Sequence, residues 1–291
     1  MRKRLFATAG IVALVAAILT PGSASAAVGF GGFENGTAGQ PYTRALWSQS
    51  GWNASWDQGM DTRTYVDATT PAHSGTKSLR VYYPKGVVGP EGSGAQAPFT
   101  LTKGREYYLS YWARLSPDFS FGTTEFSGKM GIGLAGGAAC SGGQQCDGYN
   151  GFSSRFIWLS GGRAGLYYYQ MEHDGEYGDH FVLKNADGTD VRYPRGQWFH
   201  VAQRLKVNTV TNGQADANGE IEVFYNGRSA GSATGLRFVR NGDLVDRAYF
   251  SSFFGGATTT FAPANDSWIW YDTIKVSTDR AEICEISGAG C

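Results

Sequence analysis

Beyond its first nineteen residues the chain lacks any stretch approaching the roughly 20 apolar residues that a membrane-spanning helix needs, so no membrane partner is expected. It lacks a cationic excess: 25 Lys+Arg stand against 25 Asp+Glu, whereas a protein that holds nucleic acid by bulk electrostatics is usually basic. It lacks zinc-type spacing, since none of its four cysteines forms a Cys-x2-Cys pair and no histidine lies close to them in sequence. His73, His180 and His200 show no clustering either. Internal repeats, linkers, low-complexity breaks and a βαβ rhythm are all missing after the N-terminal segment, which excludes solenoids and parallel α/β folds.

That N-terminal segment is the clearest local signal. Arg2, Lys3 and Arg4 precede the mostly apolar residues 5–19, and Ala24-Ser25-Ala26 forms a small-residue cleavage site. We expect residues 1–26 to be a secretory signal peptide cleaved near Ala26, residues 27–291 to form one domain, and the mature chain to be extracellular. Loss of three cations leaves 22 against 25 acidic groups. Any polyanion must then be held by a local arrangement of cations. In an exported chain, four cysteines fit two disulfides. Three pairings exist; local closure favours Cys140–Cys146 and Cys284–Cys291.

What is present is β-forming. The 42 glycines, with 16 Tyr and 17 Phe, accompany alternating segments at residues 77–83, 106–114, 199–207, 220–225 and 267–276. Asn226-Gly227 is the strongest short hairpin signal, and Gly161-Gly162 and Asp187-Gly188 mark further turns. The expected fold is all-β: a single-domain jelly-roll sandwich with a concave substrate groove.

One hairpin is poorly suited to a core. In "GFSSRFIWLSGGRAGLYYYQMEH" (151–173), alternation puts Ser153, Arg155 and Ile157 on one face and Phe152, Ser154, Phe156 and Trp158 on the other. Beyond the turn, Tyr167, Tyr169, Met171 and His173 share a face, and Leu166, Tyr168 and Gln170 the opposite one. A guanidinium fork matches a carboxylate, and a tyrosine stacks on sugar while offering a hydroxyl. Together they suggest a groove for an acidic sugar. Tyr-rich strands are also ordinary in sandwiches, and a strand arginine can sit on a solvated face, so alternation alone leaves both readings open.

Further segments occur in order: "SLRVYYPKGVVGPEGSGAQAPF" (78–99), "YYLSYWARLSPDFSF" (107–121), "GKMGIGLAGG" (128–137), "GFSSRFIW" (151–158), "GLYYYQ" (165–170), "GQWFHVAQRLKVNT" (196–209), "GEIEVFYNG" (219–227) and "FSSFFGG" (250–256). This series resembles polysaccharide lyase family 14, whose members degrade alginate or related polyuronates, and it spans about 200 residues. The resemblance implies a β-jelly-roll lyase that works by β-elimination without a required cofactor. It places the family's catalytic lysine at Lys129, its Ser-x-Arg strand at Ser153 and Arg155, its Tyr-x-Tyr strand at Tyr167 and Tyr169, and a substrate contact at Gln96. His173 joins the substrate-binding set from its face alone. The chain departs from the pattern at Ser127-Gly128-Lys129-Met130-Gly131, where the family has Gly before Gly-Lys and Leu-Pro after it.

Two other classes compete. Glu220 and Glu222 share a strand face as a retaining glycosidase's carboxylates do, although a charged outer face beside an Asn-Gly turn explains them as well. A non-catalytic carbohydrate-binding protein could use Trp47, Trp52 and Trp56 as a stacking platform, but has no use for Lys129 beside Arg155 and the tyrosines. Residues 33–36 with Glu34, and Asp272 near the C-terminus, resemble the edges where jelly-roll carbohydrate proteins hold a structural Ca2+, which takes oxygen ligands. The partner expected is an acidic polysaccharide, bound by a monomer. Tyr168 is expected to be structural.

Overall fold

The computed structural model describes residues 28–30, 32–256 and 258–283. Cys284 and Cys291, and the proposed cleavage site, lie outside them. In chain order the strands are β1 (Val28–Phe30), β2 (Thr64–Asp67), β3 (Ser78–Tyr83), β4 (Ala95–Gly104), β5 (Glu106–Leu115), β6 (Phe126–Lys129), β7 (Ile132–Gly136), β8 (Phe152–Leu159), β9 (Ala164–Tyr169), β10 (Asp179–Val182), β11 (Trp198–Lys206), β12 (Val210–Thr211), β13 (Gln214–Ala215), β14 (Gly219–Tyr225), β15 (Arg228–Leu236), β16 (Val245–Phe254) and β17 (Ser267–Ser277). Two short helices, α1 (Arg44–Gln49) and α2 (Arg280–Ile283), lie near the ends.

Two antiparallel sheets make the sandwich. The first runs β15-β14-β11-β5-β17-β3-β2, with β1 added on β17; the second runs β10-β9-β8-β6-β16-β4, with β7 between β8 and β16. Hairpin neighbours (β2-β3, β8-β9-β10, β14-β15) alternate with non-consecutive ones such as β11-β5-β17-β3 and β6-β16-β4, whose connections cross over as a jelly roll requires.

The sheets face each other through alternate residues. In β5, Tyr107, Leu109, Tyr111, Ala113 and Leu115 are buried, whereas Tyr108, Trp112 and Arg114 are only partly so. From the second sheet come Phe152, Phe156, Trp158, Leu166 and Tyr168, all in the main core. Edge-to-face aromatic pairs knit the layers, among them Tyr111–Phe156 at 5.9 Å and Phe119–Trp158 at 5.3 Å. Truncating such a ring to alanine costs about 3–5 kcal/mol. Trp47 and Trp52 belong to this core, so of the candidate stacking tryptophans only Trp56 is exposed. Tyr168 is structural.

The hairpin signals have their expected geometry. Asn226 and Gly227 both take positive φ, 46° and 75°, the pair of left-handed residues that a two-residue hairpin turn demands, and they join β14 to β15. Gly161-Gly162 turns β8 into β9, which pair with Ser153 opposite Tyr169 and Arg155 opposite Tyr167.

Candidate active site

β8 does not alternate in burial: all eight residues are covered. Its inward side chains fill the core, and its other face carries Ser153, Arg155, Ile157 and Leu159 under material from neighbouring loops. This resolves the oddity of the strand. Polar residues are tolerated there because that face is not the core, yet it is not solvated either.

Lys129 ends β6 and lies opposite Ile157 of β8 and Phe253 of β16. The segment is a strand whose register with β8 shifts between Phe126 and Gly128, at the departing Ser127, and it is broken after Lys129 at Met130-Gly131. Gly131 has φ 71°, and a Cβ there would fall 2.6 Å from the Tyr111 ring, so only glycine fits. Two further glycines leave room for the cations. A Cβ on Gly255 would lie 2.6 Å from Lys129 Nζ, and one on Gly133 would lie 2.8 Å from Arg155 Cγ.

The cations converge on one ring. Lys129 Nζ lies 5.8 Å and Arg155 Cζ 5.6 Å from the Tyr167 ring centroid, with the Phe253 ring 5.1 Å from Nζ. Neither cation makes an ion pair among the described residues, and Arg155 Nε is buried without a hydrogen-bond partner. Burial, then the Arg155 charge, lowers the Lys129 ammonium to about 7. Burial likewise depresses the Arg155 guanidinium below its usual range, though it stays charged.

The tyrosines form a hydrogen-bonded pair. Tyr167 Oη donates to Tyr169 Oη at 2.8 Å; Gly178 N–H donates to Tyr167 Oη at 3.3 Å and Gly143 N–H to Tyr169 Oη at 2.9 Å. Burial, followed by the bond to Tyr169, pushes the Tyr167 phenol well above its ordinary value. It therefore stays protonated at neutral pH.

The sequence-predicted residues share this outward face but are not all presented on it. Tyr167 retains 5% exposure and Arg155 4%, whereas Ser153 and Tyr169 have none. The Ser153 hydroxyl donates to the Cys140 carbonyl at 2.8 Å. His173 is buried too, its Nε2 accepting weakly from Cys146 N–H at 3.5 Å. The Cys140–Cys146 disulfide loop packs against Ser153, Tyr169 and His173, a cover that alternation along the strands cannot show. Gln96 lies on the same sheet face, its Nε2 3.4 Å from Ser251 Oγ.

Alternation along β16 could have found residues that were missed. Tyr249, Ser251 and Phe253 face the same way, and burial raises the Tyr249 phenol against the lowering effect of Arg155. Trp56, 43% exposed, lies 6.3 Å from the Tyr249 ring. His180 of β10 stands opposite Tyr167 in register.

Glu220 and Glu222 lie on the other sheet, bonded by Arg204, with Lys206 also on Glu220. They are a surface ion network, and the hydrolase reading falls. Among the described residues no group of three or more His, Cys, Asp or Glu side chains could hold a metal. Glu34 accepts from Thr76 and Lys77 N–H, and Asp272 from His73, Ser74 and Thr273 N–H. Glu34 Oε1, Asp272 Oδ1 and the Ser74 carbonyl oxygen each lie 3.7 Å from where a Gly32 side chain would begin.

Fold and site together define a β-sandwich enzyme of the polysaccharide lyase class. A model of the family described as polysaccharide lyase 14 matches residues 71–274, and the chain belongs to that family. Solved structures agree. A variant of the alginate lyase Aly36B, in complex with an alginate trisaccharide, superposes with a TM-score of 0.71 at 25% identity, over 87% of this chain and 98% of that one. The PL-14 alginate lyase of the marine Aplysia kurodai gives 0.64 at 23%, over 82% and 96%. The endo-β-1,4-glucuronan lyase of the fungus Trichoderma reesei gives 0.53 at 14%, over 80% and 93%; these last two speak to the fold alone. No curated protein matches the sequence.

Proposed function

We propose that the protein cleaves a polyuronate, alginate or a related uronic-acid polymer, by β-elimination, using Arg155, Lys129 and Tyr167. The observation that carries this is the pair of basic side chains, Lys129 and Arg155, crowded against one tyrosine ring on a sheet face without an ion pair among the described residues. Uncompensated buried charge is costly, and a bound carboxylate relieves it.

The C5 proton of a uronate becomes removable once its carboxylate is neutralised. Arg155 does this through its fork. Lys129, lowered to about 7, supplies neutral amine at physiological pH and takes the C5 proton as general base. Tyr167, held protonated, donates to the leaving O4 as general acid. Environments that push two groups' proton affinities apart assign their roles, and here they separate an easily deprotonated lysine from a retained phenol. The C4–O4 bond breaks as the C4=C5 bond forms, leaving an unsaturated end. Gln96 contacts substrate hydroxyls from the far side of β16, while Ser153, Tyr169 and His173 act beneath the surface.

No cofactor enters this chemistry. A structural Ca2+ is a separate proposal at Glu34 and Asp272, supported by the hard oxygens gathered around Gly32; an unchanged melting temperature in chelator would remove it. The same reading has the mature chain exported and working as a monomer, to be checked by the N-terminus of secreted protein and by light scattering.

The deciding experiment incubates the protein with alginate, its mannuronate and guluronate block fractions, and glucuronan, following ultraviolet absorbance of the unsaturated product. Absorbance should rise on at least one polymer. Reducing ends without new absorbance, or binding without any product, would overturn the proposal.

A further inference from the structure

Residues 140–146 form a loop closed by the Cys140–Cys146 disulfide. Both cysteines are buried in one apolar cluster with Ile157, Leu159, Tyr167 and Tyr169, so the bridge is packed on the tyrosine pair. Beside the bridge, the base of the loop is held by Asn150, which accepts from Cys140 N–H at 3.0 Å and donates through Nδ2 to the Gln145 carbonyl at 2.8 Å, while the outer turn itself is held more loosely. Gly142, Gln144 and Gln145 are exposed, and the turn's internal bonds are long: Gln144 N–H to Ser141 O at 3.3 Å and Ser141 N–H to Gln144 Oε1 at 3.4 Å. Gly142 and Gly143 both take left-handed φ, 66° and 82°. That conformation accompanies an inward-pointing Gly143 N–H, which reaches Tyr169 Oη at 2.9 Å.

We propose that this disulfide loop is a positioning element for the general acid, Tyr167, acting through Tyr169. The proposal rests on the reading of Tyr167 as the acid. When Tyr167 gives its proton to O4, that oxygen keeps the C4–O4 electron pair and Tyr167 is left as a phenolate. The C5 proton taken by Lys129 balances the one Tyr167 loses. The Tyr169 hydroxyl, 2.8 Å away, then turns to donate to the phenolate, alongside Gly178 N–H. Because Gly143 N–H already donates to Tyr169 Oη, it polarises the Tyr169 O–H, and successive donors in a chain strengthen one another. Preorganised donors aimed at developing charge lower a barrier without reorganising during the step. The disulfide keeps the first donor of that chain in place. Tyr169 is thereby a positioning residue, which accounts for a fully buried hydroxyl beside the site.

The test compares steady-state kinetics of wild type, Cys140→Ser/Cys146→Ser, Gly143→Ala, Tyr169→Phe, and the cysteine pair combined with Tyr169→Phe. Misplacing a catalytic group by about 1 Å costs on the order of 100-fold, so the cysteine variant should lose about 10- to 100-fold in kcat with KM changed less than about twofold. Reducing the folded wild type should reproduce the loss, and reoxidation should restore kcat. In the Tyr169→Phe background, removing the disulfide should cost nothing more. Gly143→Ala keeps the bridge but disfavours the left-handed turn, and decides the matter if the cysteine variant does not fold. Unchanged kcat in the reduced enzyme and in Gly143→Ala, or an equal loss with and without Tyr169, overturns the proposal. Tyr167→Phe separates it from the reading beneath it: if Tyr167→Phe keeps wild-type kcat, Tyr167 is not the acid and both fall; if it is inactive while loop variants are normal, only the loop's role falls.

Discussion

Arg155 and Tyr167 stand directly opposite each other across β8 and β9, the guanidinium carbon 5.6 Å from the ring centroid. In the proposed mechanism the contact ties the group that binds a carboxylate to the group that protonates the leaving oxygen. The pairing register fixes their separation, and Lys129 approaches the same ring from β6 at 5.8 Å.

Arg155→Lys should therefore lose far more than a charge-conserving change suggests. Lysine offers a point charge in place of a bidentate fork, and it adds a second titratable amine beside Lys129. We expect kcat/KM to fall by about 100-fold or more, and both Arg155→Ala and Lys129→Ala to abolish the ultraviolet signal. Wild-type rates in both alanine variants on a proven substrate would remove the assignment.

As the proposed base, Lys129 should set the acid side of the pH profile. With its folded-state value near 7 in the free protein, the neutral amine accumulates as pH rises through 7, so kcat/KM should rise there and level above about pH 8. A profile flat from pH 5 to 8 would exclude Lys129 as the base.

The same lysine should lower stability. Its ordinary value is 10.5 and its folded value about 7, so between those limits the unfolded chain holds more protons and wild-type stability rises with pH. Lys129→Met removes the buried cation. It should be inactive yet melt higher at or below pH 7, by about 2–4 °C for each kcal/mol relieved in a domain of this size. The advantage should shrink as pH approaches 10.5, and thermal melts at pH 6, 8 and 10 read this directly.

Gly255→Ala tests the space kept for the base. The added Cβ would fall 2.6 Å from Nζ, the free end of a flexible chain, so the fold tolerates it while the amine is displaced. A kcat reduced about 10-fold or more with a melting temperature within about 2 °C of wild type is expected.

Glu222→Gln should leave turnover unchanged, since Glu222 lies on the opposite sheet in an Arg204 network; exposed ion pairs of this kind contribute about 0–1 kcal/mol. Loss of activity in this variant would bring back a hydrolytic carboxylate.

Much of this was legible in the chain itself. A side-chain period of two set the sandwich faces, Asn226-Gly227 set a hairpin, and Ser153, Arg155, Tyr167 and Tyr169 were assigned to one face because pairing and pleat are local rules. The ordered segments pointed to the lysine outside that hairpin. Three things were decided only by tertiary structure. The disulfide loop covers Ser153, Tyr169 and His173, which a strand pattern cannot report because the cover comes from elsewhere in the chain. Tyr249 and His180 reach the site through sheet order, which brings β16 and β10 into one sheet, and Trp56 through a loop bridged to β4 at Ala54 and Gln58. The contrast between the lowered Lys129 ammonium and the raised Tyr167 phenol follows chiefly from burial, and burial belongs to the folded molecule: the sequence determined which chemical groups share a face, and the packing of that face shifted their proton affinities in the directions that the proposed roles require.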